Sequence, residues 1–417
     1  MTKNDTMPII DIIIYIGLFI ALYFGALISI TLFENRNQLY KKQGVFNFPL
    51  VSVLLPCYNE EKEIEEAVAS IANLDYPKNK LEIIVIDDGS TDATLARAKI
   101  LQAKDPRIKV ISKPNGGKHT ALNLAIPQAK GELIATLDAD CRPAKNALKE
   151  IIKYLQEPDV WAVTASIKIL KPQNILEGVQ YAELLVSAFL RKIYSFLGAI
   201  NVTPGPLTVF KKQVFSIVGL YKKAHLTEDC EMALRMQSKH LKIAHTLDAV
   251  VYTKGQKNIK ALFRQRIRWY RGFTLNLKDY LPLFNIKQHG NLAVLLFYSF
   301  LGPLLSISLA TVSAYKIARF SARHISNGWL IRFDFSPFLN FRHLSLVSFN
   351  PKPLLFLSII VLLIIFCYMM LGKWLTFDKT KIKQNIIFYF LFYSFLNASW
   401  WFLTGLSIIS GKEIKWK

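Results

Sequence analysis

The chain has 417 residues, is 52% hydrophobic and carries a formal charge of +22 at pH 7, and its mean hydropathy is +0.26. That hydropathy argues against a wholly soluble protein, and the length allows two or three units. The four cysteines, Cys57, Cys141, Cys230 and Cys367, have no metal-ligand spacing and suggest no disulfide framework, so a disulfide-stapled secreted scaffold is excluded.

In chain order, the first feature is an uncharged apolar stretch at 12–33. Three more follow at 290–315, 353–372 and 384–411. About 20 apolar residues cross a bilayer as a helix, so all four are expected to span it. The first is too long for the apolar region of a signal peptide, and only Lys3 precedes it, so it reads as a retained anchor.

Between the anchor and the second span lies a soluble region. "FPLVSVLLPCYNE" begins as an apolar strand and stops at Pro56. Residues 60–74 place Ile64, Val68, Ile71 and Ala72 at helical spacing. "LEIIVIDDGS" is a β-branched strand ending on Asp87 and Asp88, followed by a helix from a Thr/Asp start. "RIKVISK" is a strand, "KHTALNLAIPQA" a helix, and "ELIATLDADC" a strand that runs out onto Asp138 and Asp140. This alternation predicts an α/β domain with a mostly parallel sheet flanked by helices, joined to all-α transmembrane helices. Residues 175–197 form an amphipathic helix, suited to the membrane surface or to the domain core, and "NVTPGPLTVF" reads as a loop and strand. The expected units are an anchor at 1–34, a catalytic domain with interface helices at 48–285 and a membrane region at 290–411.

Ligands of parallel α/β sheets bind beyond the carboxyl ends of the strands, where "PCYNE", "DDGS" and "DADC" fall. Asp138 and Asp140 make a compact oxygen-ligand pair for a hard divalent cation, Mg²⁺ or Mn²⁺, shared with a diphosphate. An aspartate at the end of the Asp87–Asp88 strand can accept from a uracil ring or a ribose hydroxyl, although the same residues also suit a turn and helix cap. "NGGKHTALN" offers close backbone approach at Gly116 and Gly117, with Lys118 as a cation for phosphate. "HLTEDCEMALRMQ" starts a helix with Thr227 as its cap. Its Glu228 and Asp229 either serve the helix N-terminus or make Asp229 a general base. "RQRIRWYRG" gathers four arginines about Trp269. It is either a basic face for headgroups or a sugar-stacking floor with Arg268 and Gln265 beside it.

In this order, D-D-G-S at 87–90, D-A-D at 138–140, T-E-D at 227–229 and Q-R-I-R-W at 265–269 resemble the processive inverting glycosyltransferases of family 2. That family includes the cellulose, hyaluronan, chitin and poly-N-acetylglucosamine synthases. The short anchor and "RQRIRW" look most like the bacterial poly-β-1,6-N-acetylglucosamine synthase group. The resemblance covers 50–285 and extends through the flanking spans. It implies a GT-A fold and UDP-sugar donors, with Tyr58, Glu60 and Asp88 at the uridine and Asp138 and Asp140 at the diphosphate and metal. It further implies Asp229 as base, and Gln265, Arg268 and Trp269 closing over donor and acceptor. Cys141 and Cys230 depart from the expected pattern beside two of the motifs, and Tyr270 and Arg271 carry no assigned role.

Sugar nucleotides are cytosolic, so the catalytic domain is expected there, in a multi-pass protein of the cytoplasmic membrane. Arg36, Lys41 and Lys42 after the first span agree with the positive-inside rule. The basic residues of 316–352 fit an outside loop poorly, unless 290–315 bends back near Gly302 and Pro303. Expected partners are a UDP-sugar, the growing glycan and the bilayer, with room for a small accessory membrane subunit. A nucleic-acid partner is argued against by the acids at three strand ends. The alternative within enzymes adds a single sugar to a lipid carrier, and it shares every motif except Q-x-x-R-W.

Overall fold

The computed structural model describes residues 9–41, 44, 47–330, 353–380 and 385–411. In chain order these form α1 (Ile9–Glu34), β1 (Val51–Cys57), α2 (Ile64–Ala72), β2 (Leu81–Asp87), α3 (Thr94–Lys104), β3 (Ile108–Ser112), α4 (Lys118–Ala125) and β4 (Leu133–Thr136). Then come β5 (Arg142–Pro143), α5 (Ala147–Leu155), β6 (Val160–Ile169), α6 (Ile175–Phe196), β7 (Thr208–Lys211), α7 (Val214–Val218), α8 (Glu228–Ser238) and β8 (Lys242–Thr253). The chain continues through α9 (Ile259–Asp279), α10 (Ile286–His289), α11 (Asn291–Leu330), α12 (Pro353–Leu375) and α13 (Asn385–Ile409).

The eight strands make one sheet in the order β3-β2-β1-β4-β7-β6-β8-β5. β3, β2, β1 and β4 are parallel, as the alternation predicts, and so are β6 and β8. β7 runs antiparallel to both β4 and β6, and β5 runs antiparallel to β8. The apolar strands have a core on each face. Val53, Leu55, Ile83 and Val85 pack with Ile64, Val68 and Ile71 of α2. Leu54, Ile84 and Ile86 pack with Leu122 of α4 and Met232 and Met236 of α8. Each such side chain contributes about 1.5–3 kcal/mol on burial, which is why these strands read as continuous apolar runs.

The register sets Cys57 beside Asp87 and Leu54 beside Thr136. The polar residues that follow β1, β2 and β4 therefore emerge at one edge. β4 is shorter than expected and ends at Thr136, before the acids. Leu137 still donates its N–H to Leu54, but Cys141 N then bonds Asp138 O at 3.0 Å, and that turn leads into β5. Asp138 and Asp140 therefore sit on a turn.

The long α6 packs on the sheet domain on one side and on α12 and α13 on the other. Phe189 and Ile193 meet Leu247 on the domain side and Tyr368 of α12; Val179 and Leu185 meet Met369 and Tyr389. The turn after α12 is tied to the domain as well. Asp378 lies 3.2 Å from Lys168 Nζ of β6, Tyr181 of α6 donates to it at 3.1 Å, and Lys168 donates to Thr376 O at 2.7 Å.

Among the described residues, two helical segments are long and apolar enough to cross a membrane, Ile12–Glu34 and Asn291–Tyr315, and Ile359–Leu375 is a shorter apolar helix. Two of the four expected spans are thus met by length and composition. The bend considered near Gly302 and Pro303 does not occur, because α11 runs unbroken through Pro303 to Leu330; apolar helices tolerate a proline where neighbours compensate the lost bond. Lys3, Lys42 and residues 331–352, with Arg332, Arg342 and Lys352, lie outside the described residues.

Candidate active site

A cavity of about 1720 Å³ opens at the strand-end edge. It brings together every predicted site residue except Asp87. Asp87 is 1% exposed and serves the scaffold, its carboxylate accepting from Ser112 Oγ at 3.0 Å and Ser90 N at 3.3 Å. Tyr58 and Glu60 stand at the end of β1 and line the cavity. Asp88 also lines it, but its carboxylate accepts from Gly116 N at 3.0 Å, Gly117 N at 2.8 Å and Lys113 Nζ at 2.5 Å. It therefore shapes the glycine loop. Gly117 has φ +90°, which a side chain would strain, and it delivers Lys118 to the first turn of α4.

Lys118 Nζ bonds Asp138 at 2.5 Å and lies 3.7 Å from Glu228. Burial alone would lower its pKa, but Asp138, Glu228 and Asp229 hold it above the ordinary lysine value. Asp140 is raised, first by burial and then by the charge of Asp138. Cys141 donates its Sγ hydrogen to Asp140 at 3.0 Å, and burial together with both aspartates keeps that thiol protonated. The unexpected Cys141 thus acts as a donor to Asp140.

Two carboxylates one residue apart, one of them desolvated and short of a counter-charge, suit a cation. No group of three His, Cys, Asp or Glu is close enough to hold a metal among the described residues. The pair therefore fits a hard divalent ion that keeps positions open for phosphate oxygens, and does not form a closed protein cage. Gly205 makes the close approach to this pair possible, since a Cβ there would run into the Asp138 carboxylate and Lys118 Nζ. Gly205→Ala is expected to lower kcat/KM about 100-fold while leaving the melting temperature within a few degrees. Steady-state turnover and a thermal melt check both; wild-type kcat/KM would show that the pair tolerates displacement.

Asp229 lies in the first turn of α8, its Oδ1 accepting from Cys230 N at 2.9 Å. Burial first and Glu228 second push its pKa up to about 6, against the opposing pull of Lys118 and Arg268. The chain enters α8 through a turn in which Ala224, His225 and Leu226 have φ of 45°, 53° and 66°. Such left-handed conformations are costly for non-glycine residues and persist only where surroundings enforce them. Here α9 enforces them. Arg268 donates to Leu226 O at 2.8 Å, Asn276 Nδ2 donates to Thr227 Oγ1 at 2.8 Å, and His225 pairs with Asp279 at 3.1 Å. Thr227 was expected to cap α8, but its side chain makes no cap bond; its hydroxyl donates to Ala224 O and is held by Asn276.

The Q-R-I-R-W segment lies within α9. Arg268 is lowered by burial and sits in the field of Asp229, Glu228 and Asp138. Gln265 and Trp269 face the cavity, and the Trp269 ring remains 39% exposed. Arg266 stacks on that ring at 4.4 Å and pairs with Glu183 at 2.6 Å. Tyr270, unassigned from the sequence, stacks on Trp401 at 4.3 Å and donates to Asn397 at 2.9 Å, docking α9 on α13. Arg271 does not line the cavity and has no account here. Beyond Trp269 the cavity continues between the apolar helices, past Ser299, Ser306 and Ser313 of α11 and Asn397 of α13.

Residues 52–216 match the family model described as glycosyl transferase family 2. The poly-β-1,6-N-acetyl-D-glucosamine synthase of Staphylococcus epidermidis is 29% identical over 295 residues, 68% of this chain and 70% of that protein. The synthase of the same name from Staphylococcus aureus is 28% identical over 291 residues, with the same shares covered. Among solved structures, the mannosyltransferase PcManGT from Pyrobaculum calidifontis, in complex with GDP-Man and Mn²⁺, superposes with a TM-score of 0.56 at 22% identity, covering 88% of this chain and 99% of that one. The last likeness is one of fold.

Proposed function

We propose that this chain, which carries a family 2 glycosyltransferase domain on a GT-A fold, polymerises a sugar from a UDP-sugar into a β-linked glycan at the cytoplasmic membrane. The relatives' names favour N-acetylglucosamine as the sugar. The observation that carries the proposal is the continuous cavity. It joins a strand-end acid cluster, a base-like aspartate and an exposed tryptophan to a hydroxyl-bearing passage between helices.

In this reading Tyr58 and Glu60 receive the nucleoside, with Asp88 holding the glycine loop that forms the adjoining wall. Asp138 and Asp140 would hold Mg²⁺ or Mn²⁺, which when bound neutralises charge on the departing diphosphate. Lys118 and Arg268 add fixed positive charge on the same side. Asp229 takes the proton of the acceptor hydroxyl as that oxygen attacks the anomeric carbon opposite the leaving UDP, with inversion. A carboxylate with a pKa of about 6 is ionised at neutral pH and is more basic than an ordinary aspartate. Trp269 offers its face to a sugar ring, and Gln265 a polar contact beside it.

The C-terminal end of α1, the start of α11 and the turn at 376–380 all adjoin the catalytic domain, which supports one cytosolic face for these ends. The bilayer would cover exposed apolar side chains such as Phe19 and Phe33 of α1 and Leu304 of α11. A small accessory membrane subunit, where one is used, would meet the same surfaces.

Ser306→Trp tests the passage. It is expected to shorten the polymer severalfold on a sizing gel while the first transfer, read as UDP release to a short primer, continues. Polymer of unchanged length would remove the passage from the glycan's path.

A further inference from the structure

One face of α6 lines the cavity with Gln180, Glu183, Ser187 and Arg191, spaced three or four residues apart. Two of these side chains are already engaged. Gln180 donates to Gln256 O at 2.9 Å and accepts from Gln256 N at 3.0 Å, and Glu183 holds Arg266. Ser187 and Arg191 make no side-chain hydrogen bond or ion pair with any described residue, although both line the cavity. A guanidinium carries five N–H donors and no acceptor. One facing a cavity without a protein acceptor is built to meet oxygen atoms from outside the chain.

The surroundings say which oxygens. Arg268 is fixed at the entry to α8 by its bond to Leu226 O at 2.8 Å, in the field of Asp229, Glu228 and Asp138. Arg191 feels Asp229 and Glu183; burial lowers its pKa to about 10, and those two carboxylates oppose the fall. Glu183, two turns earlier on the same face of α6, holds Arg266, which stacks on Trp269, so this face adjoins the tryptophan side of the cavity. Glu183 is already neutralised by Arg266, and the adjoining Trp269 presents a ring face, so this part of the cavity suits a hydroxyl-rich ligand.

We propose that Arg191 and Ser187 form an acceptor-saccharide subsite, in which the guanidinium fork binds ring and hydroxyl oxygens of the terminal acceptor sugar and holds its reacting hydroxyl toward Asp229. The proposal rests on the reading of Asp229 as the base. It assigns a binding role to a helix that the motifs do not touch.

The test is steady-state transfer to an added oligosaccharide of N-acetylglucosamine by wild type, Arg191→Gln and Arg191→Lys, in lipid. Both variants are expected to raise the acceptor KM about 10- to 100-fold with the donor KM unchanged. Lysine keeps the charge but not the fork, so it does not restore acceptor binding, and it keeps the acid limb of the kcat profile in place. Full rescue by lysine, or a rise in donor KM with the acceptor KM unchanged, overturns the proposal. Calorimetric UDP binding at wild-type affinity verifies the fold. Should Arg191→Gln lose UDP binding, Ser187→Tyr decides by filling the subsite from the preceding turn: a raised acceptor KM supports the proposal and an unchanged one overturns it. Failure of the base assignment is seen separately, in Asp229→Asn.

Discussion

Asp229→Asn is expected to leave UDP-sugar binding intact and to lower turnover about 10²- to 10⁴-fold, the usual contribution of a positioned base. Asparagine keeps the volume and can still accept the Cys230 N–H through its amide oxygen. What it loses is the ability to take a proton. Lys118 and Arg268 are unaltered, so donor affinity is expected to be retained. As the proposed base, Asp229 must be ionised to act. With its pKa raised to about 6, activity is expected above that value and is expected to fall as pH drops through it. Calorimetry with a UDP-sugar and a pH series of UDP release read both effects. Retained turnover in Asp229→Asn, or a profile flat through pH 6, would remove Asp229 from the reaction.

The second large effect concerns how the α/β domain is fixed to the apolar helices α12 and α13. Asp378→Ala is expected to cost about 3–5 kcal/mol, because it leaves Lys168 charged, buried and without its carboxylate. Lys168 is 6% exposed, and its remaining partner is the Thr376 carbonyl. The variant also strips Tyr181 of its acceptor. The turn after α12 would lose its hold on β6 and α6, and with it the wall that α12 and α13 give the cavity. Thermal inactivation in detergent reads this as a clear drop in melting temperature. Lys168→Met with Asp378→Leu is expected to recover part of the loss, since an apolar pair removes the unpaired charge. An unchanged melting temperature for Asp378→Ala would mean that the turn does not carry the attachment.

Much of the catalytic half was legible because its signals are local. "LEIIVIDD" is a buried strand on composition alone, and its acids fall at the edge where the register aligns the ends of β1, β2 and β4. The motifs around Asp138, Asp229 and Trp269 each lie within a few residues. What escaped depends on partners distant in the chain. Nothing in "TLDADC" says that Lys118 will sit on Asp138, or that Gly205 must stay small for it. Asp88 was read toward the uridine, but its oxygens are taken by the backbone of a loop nearly 30 residues later. Thr227 was read as a cap, which local pattern favours, yet Asn276 on α9 captures it. Arg191 carries no motif at all, and only the packing of α6 against the cavity reveals it. The antiparallel insertion of β7 between β4 and β6 is a pairing choice between strands far apart in sequence.

The most direct test of the central claim is UDP release by the purified protein in lipid nanodiscs. A panel of UDP-sugars would be run with and without Mg²⁺ or Mn²⁺, and the products sized by gel. Metal-dependent release from UDP-N-acetylglucosamine, with a long polymer as product, is expected. Release that yields only a singly glycosylated lipid, or no release from any UDP-sugar in the panel, would contradict it.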